Sequence, residues 1–320
     1  MTKVSPATDQ SIPVIDISPL RDGSNPIVVA QALLAASQNL GFIYINGHGI
    51  PDDVIATARA CAFDFFRSPE ENKRRCTISD KHRGWLPQGG AKMQDGVAAD
   101  LKESFIWGYQ DDNGGPPSDH ELRGPNQWPD FVPGMESAAL DYFSHADRVA
   151  RHLLQGFALG LDQEANFFLR NSEIPLSRAS FVYYPGQSAE SGQSAFGVGP
   201  HTDFGMLTVL CQDNVGGLQI EDLKGNWIEA PPIPGTLIVN VGDLLERWTD
   251  GAFRSTPHRV INSSGKERLS LVLAFDPNPE TMIDAGDIYG ADHQAKQPAI
   301  SCGDYLVWRF ARAFSYRGKI

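Results

Sequence analysis

A histidine and an aspartate stand two positions apart where an apolar run begins, in GVGPHTDFGMLTVL (197–210). Because side chains at i and i+2 of a β-strand point to the same face, His201 and Asp203 can face one point while Thr202 turns away. An imidazole nitrogen and a carboxylate oxygen are both common metal ligands. The pair by itself is common in sequences, so a metal site here requires a third ligand.

The third ligand is predicted to be His258. It is the one other histidine at the start of a predicted strand in the same β-rich region, in STPHRVIN (255–262). Two histidines and one carboxylate on one face are the ligand set of non-haem Fe(II) oxygenases, and they leave coordination positions open for a co-substrate and O₂. The sequence therefore predicts that His201, Asp203 and His258 form a catalytic metal site.

An arginine leads the most apolar of the predicted strands, RLSLVLAF (268–275). A guanidinium in such a strand is costly to bury unless an anion pairs with it. Ser270 faces the same way as Arg268, and an arginine fork with a hydroxyl beside it is suited to bind a carboxylate. The alternative is that Arg268 pairs with a structural Asp or Glu at the rim of the sheet.

The elements that must position these residues change character along the chain. Residues 178–280 contain short β-rich runs separated by turn residues, which indicates a sandwich or barrel. Helices are predicted before this region, the longest over residues 134–159, and a basic amphipathic helix is predicted over 304–320. Residues 82–130 are rich in Gly, Pro and Asp, so we expect irregular connecting structure there.

Composition limits the partners. Lys and Arg number 27 against 39 Asp and Glu, which gives a net charge of −12. Such a chain repels nucleic-acid phosphates and anionic lipid, so neither nucleic acid nor a membrane is an expected partner. An anionic substrate would need a local basic group. The four cysteines form no metal-binding pair, and the N-terminal residues lack a signal-peptide profile, so a cytoplasmic location is expected.

Taken together, these motifs resemble the iron(II)/2-oxoglutarate dioxygenases of the isopenicillin N synthase-like superfamily. The order of His201, Asp203, His258, Arg268 and Ser270 carries the resemblance. Further similar stretches are IPVIDIS (12–18), GFIYINGHGIP (41–51), RGWLPQGG (83–90), LKESFIWG (101–108) and GTLIVNVGDLLERWTDGAFRSTPHRV (235–260). The similarity extends over roughly residues 11–315.

The resemblance implies a mainly β fold with flanking helices around a double-stranded β-helix, a jelly-roll related to the cupins. It implies that the two histidines and Asp203 hold Fe(II), and that Arg268 and Ser270 hold the distal carboxylate of 2-oxoglutarate. Tyr184 matches a position that adds a hydrogen bond to a bound carboxylate; an ordinary buried strand tyrosine is the alternative. O₂ is the oxidant, and ascorbate is expected to support activity.

The expected organisation is one domain over residues 1–320. Residues 1–177 would form an N-terminal α/β and helical support region, residues 178–280 the β-helix core with the site, and residues 281–320 a C-terminal helical segment. That last helix, and the loop over 186–199, are candidates to cover the site. The sequence leaves the oligomeric state open.

Several other residues have a structural interpretation beside a site role. His48 replaces the asparagine usual in the family's NHG and is expected to be structural. The histidines expected at the surface are His82, His120, His145, His152 and His293. Asn240 and Thr256 could support the cavity, and Phe204, Phe275 and Trp107 could line it, although core packing is the simpler interpretation for these five.

The resulting hypothesis is an oxidation of a small organic substrate by hydroxylation, desaturation or cyclisation, with release of succinate and CO₂. One alternative is an oxidase in which Arg268 holds the substrate's own carboxylate and 2-oxoglutarate is not used. The motifs are also compatible with an ethylene- and succinate-forming enzyme, a non-catalytic small-molecule binding protein or a structural zinc site. The identity of the substrate cannot be read from these motifs.

Overall fold

The computed structural model describes residues 12–91, 100–110, 119–186 and 196–317. Its helices are α1 (Ser18–Asp22), α2 (Pro26–Asn39), α3 (Asp52–Arg67), α4 (Glu70–Lys73), α5 (Met135–Gly160), α6 (Asp243–Trp248), α7 (Gly286–Tyr289) and α8 (Cys302–Ala313). Most of the loop that is a candidate to cover the site, residues 187–195, lies outside the described ranges.

The strands are β1 (Val14–Asp16), β2 (Phe42–Asn46), β3 (Gly84–Leu86), β4 (Glu103–Gly108), β5 (Arg178–Tyr184), β6 (Val198–His201), β7 (Leu207–Cys211), β8 (Leu218–Glu221), β9 (Trp227–Glu229), β10 (Leu237–Val241), β11 (His258–Val260), β12 (Arg268–Phe275), β13 (Met282–Ile283) and β14 (Ile300–Ser301). They form an eight-stranded sheet in the order β1-β2-β10-β7-β12-β5-β4-β3, a four-stranded sheet in the order β6-β11-β8-β9, and the pair β13-β14.

The large sheet is covered on both faces, and successive side chains of β12 point alternately to the two. Leu269, Leu271 and Leu273 belong to the main hydrophobic core, which also contains the apolar faces of α2, α3 and α5. The intervening residues, from Arg268 to Ala274, line a cavity on the opposite face. A second hydrophobic cluster fills the space between the large and small sheets. Two facing, mainly antiparallel sheets agree with the predicted jelly-roll core.

The longest helix, α5, supports the sheet from outside the cavity. Its amphipathic sequence places Tyr142 in the core, where the hydroxyl donates a hydrogen bond of 3.1 Å to the carbonyl of Leu271 in β12. Helix α2 packs beside it and ends at Asn39, two residues before Gly41. Gly41 has a φ of +64°, and a Cβ there would lie 2.0 Å from the carbonyl oxygen of Arg254. Only glycine fits this turn.

The prediction of irregular structure over residues 82–130 was partly wrong. Strands β3 and β4 lie within it and extend the large sheet beyond β5. The segment was hard to assign because all residues of both strands are buried, so neither strand shows the alternation of apolar and polar residues that marks a half-exposed strand. A short helix expected near residues 163–170 is reduced to a single 3₁₀ turn, Phe167–Leu169.

Helix α8 begins at a side-chain cap, which gives a stability prediction. Ser301 Oγ accepts a hydrogen bond of 3.0 Å from the backbone N–H of Asp304. We expect Ser301→Ala to lower the free energy of unfolding by about 1 kcal/mol, the usual cost of losing such a cap. Denaturant titration measures this, with the exposed loop residue Ser263→Ala as control. Equal effects of the two substitutions would show that the cap contributes nothing.

Candidate functional site

The three predicted metal ligands meet at one end of the small sheet. His201 on β6 and His258 on β11 are directly opposite each other in the antiparallel register. The Nε2 atoms of both histidines lie 3.8 Å from Asp203 Oδ1. One donor atom from each of the three residues lies within 4.8 Å of the others. Among the described residues, no other group of three His, Cys, Asp or Glu donors is this close.

Backbone carbonyls determine which nitrogen of each histidine faces the centre. His201 Nδ1 lies 2.8 Å from the carbonyl oxygen of Gly199, and His258 Nδ1 lies 3.1 Å from that of Thr256. A carbonyl oxygen can only accept, so each Nδ1 carries the proton and each Nε2 presents a lone pair. Hydrogen bonds of this kind orient metal-binding histidines. Thr256 thus supports the cavity through its backbone carbonyl, which orients His258.

Asp203 lies beyond the end of β6, which differs from the predicted strand geometry. The chain turns after His201, and the backbone N–H of Asp243, the first residue of α6, donates a hydrogen bond of 2.8 Å to the carbonyl of Asp203. The Asp203 side chain is oriented separately, because Asn240 Nδ2 on β10 donates to its Oδ2 at 2.8 Å. Oδ1 remains directed at the two histidines.

The protonation of the triad suits a divalent cation. Burial, reinforced by the neighbouring His258, lowers the pKa of His201 to about 3, so its imidazole is neutral at pH 7. Burial acts to raise the pKa of Asp203, but the two histidines and the hydrogen bond from Asn240 lower it on balance. Two imidazole nitrogens and one carboxylate are the donor set that Fe(II) takes in non-haem oxygenases.

Arg268 and Ser270 lie together on the cavity side of β12. Arg268 is 1% exposed, and its Nε and Nη1 donate to the carbonyl of Gly216 and to Ser270 Oγ, both at 2.8 Å. Its Nη2 has no hydrogen-bond partner among the described residues, and no described carboxylate forms an ion pair with it. A buried guanidinium with a free N–H group is costly, and an anionic ligand would offset that cost.

Tyr184 lies beside this guanidinium. It is opposite Arg268 in the register of β5 and β12, and the guanidinium carbon lies 4.6 Å from the centre of its ring. Both residues line the same cavity as the metal-ligand triad. The structure thus brings all six predicted site residues into one cavity between the two sheets.

The end of the cavity opposite Arg268 contains residues that were not predicted as site residues. His82 was expected at the surface, but it is 4% exposed and its ring centre lies 4.6 Å from those of Phe310 and Phe314. The two phenylalanines come from α8 and its end, so the C-terminal helix does border the site. Arg178, at the start of β5, completes this end.

The other candidates divide clearly. Phe204 lines the cavity, whereas Trp107 and Phe275 are fully buried in the main core and do not. His48 follows β2 outside the cavity, where its Nδ1 accepts a hydrogen bond of 3.1 Å from the backbone N–H of Ile50. That contact agrees with the structural role expected for His48.

Two family profiles match the chain. Residues 12–131 match the profile described as non-haem dioxygenase in morphine synthesis N-terminal. Residues 176–277, which contain the triad, Arg268 and Ser270, match the profile described as 2OG-Fe(II) oxygenase superfamily. Among the described residues, no helix is both long and apolar enough to cross a membrane.

Curated relatives and solved structures agree with these profiles. Homoarginine-6-hydroxylase 2-ODD-C23 of Glycine max is 34% identical, over 88% of this chain and 91% of its own. Validamycin A dioxygenase of Streptomyces hygroscopicus subsp. limoneus is 35% identical, over 93% and 85%. A full-length protein of Neurospora crassa, solved in complex with alpha-KG, is 29% identical and superposes with a TM-score of 0.85 over 97% of this chain and 100% of its own. The resemblance seen in the sequence is confirmed: the chain belongs to the 2OG-Fe(II) oxygenase superfamily and is an Fe(II)- and 2-oxoglutarate-dependent oxidoreductase.

Proposed function

We propose that His201, Asp203 and His258 bind the Fe(II), and that Arg268 and Ser270 bind the distal carboxylate of 2-oxoglutarate. The observation that carries this assignment is the presence, in one cavity, of a three-donor cluster and a buried guanidinium whose Nη2 lacks a partner among the described residues. Either feature alone has a structural explanation. Together they match the two ends of a diacid that is bound to a metal at one end and to an arginine at the other.

When bound, Fe(II), 2-oxoglutarate and O₂ supply the oxidation: one oxygen atom leaves in succinate, CO₂ is released, and the other oxygen atom is available to the substrate. The residues of the chain hold the geometry. The Gly199 and Thr256 carbonyls orient the histidines, Asn240 orients Asp203, and Tyr184 covers the guanidinium of Arg268.

We propose a small-molecule substrate, which the names of the relatives do not identify. The names of two relatives of similar identity refer to homoarginine and validamycin A, which are chemically unlike each other. A structure of the Neurospora crassa protein holds alpha-KG together with thymine. These names refer to different small molecules, so the substrate and the outcome, whether hydroxylation, desaturation or cyclisation, are decided by a substrate screen.

Succinate formation tests the proposed function. Purified protein supplied with Fe(II), ascorbate, O₂ and 2-oxoglutarate should form succinate, and a substrate screen should raise its rate. Oxidation of a substrate without loss of 2-oxoglutarate would support the oxidase alternative, and ethylene release would support the ethylene-forming one. Tight Zn²⁺ binding without Fe(II)-dependent turnover would support a structural zinc site, although such sites usually have four closed ligands that include thiolates.

Asn240 provides a prediction about the metal centre. We expect Asn240→Ala to weaken Fe(II) affinity by about 10- to 100-fold, because it removes the hydrogen bond that orients the Asp203 carboxylate. Competition with a chelator under anaerobic conditions measures this affinity. Asn262→Ala is a matched control, since that buried asparagine donates to the carbonyl of Lys266 in a loop. An unchanged affinity in the Asn240 variant would remove Asn240 from the centre.

We also propose that the chain functions as a single domain, because β1–β4, from the first 177 residues, complete the same sheet as β5, β7, β10 and β12. Within it we propose a support region over residues 1–177, a core over residues 178–280 and a C-terminal segment over residues 281–320. The proposed cytoplasmic location rests on the four cysteines, all of which are unpaired thiols.

A further inference from the structure

The cavity has a second basic end, far from Arg268. In the register of β5 and β12, Tyr184 is opposite Arg268, whereas Arg178 is opposite Ala274. Arg178 and Tyr184 are six positions apart in the strand, so their Cα atoms lie about 20 Å apart. A five-carbon diacid held at Arg268 is much shorter than this. On the proposed function, therefore, the Arg178 end is left for the substrate.

Arg178 can still donate to a ligand. It is a buried residue of the cavity wall, and its Nη2 donates to Asp276 Oδ2 at 2.9 Å while its Nη1 donates to the carbonyl of Leu176 at 3.1 Å. These described contacts use two of the five N–H groups of the guanidinium. Asp276 also accepts a hydrogen bond from the backbone N–H of Met206, so this ion pair lies next to the loop that carries Asp203.

Positive charge exceeds negative charge around this end among the described residues. Arg178 lines the cavity at this end and has one carboxylate nearby, Asp276 at 2.9 Å. Lys102, whose Nζ lies 3.6 Å from Asp100, belongs to the other end, because the next residue, Glu103, is opposite Tyr183 in the register of β4 and β5. Arg83 is a second cation at the Arg178 end, 1% exposed, and its described hydrogen bonds all go to backbone carbonyls.

Arg83 is close to Arg178. A Cβ at Gly108 would lie 2.0 Å from Arg83 Nη2, and Gly108 is opposite Arg178 in the register of β4 and β5. Burial, with Arg178 nearby, lowers the pKa of Arg83 to about 9, so Arg83 stays charged at pH 7. His82 adds no charge, because burial lowers its pKa well below the usual value. Two cations, Arg83 and Arg178, thus face one carboxylate, Asp276, in a chain whose net charge is −12.

The walls between Arg178 and the triad are apolar and aromatic. The centre of the Phe310 ring lies 4.7 Å from the guanidinium carbon of Arg178. It also lies 5.9 Å from the ring centre of Phe204 and 5.3 Å from that of Phe314. Ile106 and other aliphatic side chains line the same region. This combination suits a ligand with an apolar body and one anionic group.

We propose that the substrate is a small organic carboxylate whose anionic group binds at Arg178 and whose apolar body lies among Phe204, Phe310 and Phe314, in front of the metal centre. The excess positive charge selects against substrates that carry a cation at this end. A neutral molecule would leave one net positive charge, that of Arg83 and Arg178 less that of Asp276, without a counter-ion.

Three matched triplets of ligands test this: benzoate, benzamide and benzylamine; phenylacetate with its amide and amine; and cyclohexanecarboxylate with its amide and amine. Each is titrated calorimetrically into anaerobic protein loaded with Fe(II) and 2-oxoglutarate. In at least one triplet the carboxylate should bind about tenfold or more tightly than the amide, since a hydrogen-bonded charge contributes this much, and the amine should bind most weakly. If no carboxylate binds more tightly than its amide, the proposal is wrong.

Variants locate the preference at Arg178. In Arg178→Gln with Asp276→Asn, which replaces the ion pair by neutral groups of similar shape, the preference for carboxylate should disappear. It should survive in Arg151→Gln with Asp147→Asn, a matched pair on α5 outside the cavity. If the first double variant does not fold, Arg178→Lys, which keeps the charge but not the fork, should reduce the preference. A preference unchanged in every folded Arg178 variant contradicts the proposal.

Binding of 2-oxoglutarate to the wild-type protein is measured in a separate calorimetric titration of anaerobic protein loaded with Fe(II) alone. Its failure would contradict the proposed function, whereas the dependence of carboxylate binding on Arg178 is read independently of it.

Discussion

Replacing His201 by alanine is expected to abolish Fe(II) binding and turnover while the fold is retained. The substitution removes one of three donors and leaves a vacancy beside His258, whose ring centre lies 4.3 Å from that of His201. Loss of a hydrogen-bond partner of a ligand costs about 10- to 100-fold in affinity, and loss of the ligand itself should exceed that range. Metal content after anaerobic loading and the rate of succinate formation measure the effect. Asp203→Ala should behave in the same way.

His48→Ala is the matched control, because it removes an imidazole from a turn outside the cavity. Its Fe(II) content and turnover should equal those of the wild-type protein, and circular dichroism should show that both histidine variants are folded. Normal turnover in a folded His201 variant would refute the triad.

Arg268→Ala is expected to raise the KM for 2-oxoglutarate by at least about 30-fold, because removing one partner of a buried charge pair costs roughly 2 kcal/mol or more. The guanidinium is aligned by Gly216 and Ser270, and its Nη2 lacks a partner in the described part of the chain. Fe(II) affinity should change little, since Arg268 does not contact the triad. Steady-state kinetics with varied 2-oxoglutarate and a chelator competition separate these two effects.

Arg259→Ala serves as the control for removal of a strand arginine. Arg259 follows His258 on β11, but its Nε donates to Gln219 and its guanidinium lies over Trp227, on the face away from the cavity. Its KM for 2-oxoglutarate should be unchanged. A KM that did not move in the Arg268 variant would reassign Arg268 to structure or to the substrate.

The site could be predicted from the sequence to the extent that local spacing determines geometry. Arg268 and Ser270 face the cavity because they alternate with Leu269 and Leu271, which pack into the core, and a regular strand preserves this period. His258 is predicted as the third ligand because it is the one other histidine at the start of a predicted strand in the same β-rich region. Only the register of β6 and β11 shows that the two imidazoles are directly opposite.

Other features depend on long-range contacts that spacing does not encode. His82 is buried because α8, near the other end of the chain, brings Phe310 and Phe314 against it. Asn240 reaches Asp203 through the neighbouring strand order of β7 and β10. The short strands β3 and β4 are buried throughout and show no alternation of apolar and polar residues, while the Gly, Pro and Asp around them favour irregular structure.

A crystal structure of the anaerobic complex with Fe(II) and 2-oxoglutarate, with anomalous scattering recorded at the iron edge, tests the central claim most directly. We expect one iron peak bonded to His201 Nε2, Asp203 Oδ1 and His258 Nε2, with the distal carboxylate of 2-oxoglutarate on Arg268 and Ser270. An iron peak elsewhere, or a distal carboxylate away from Arg268, would contradict this assignment.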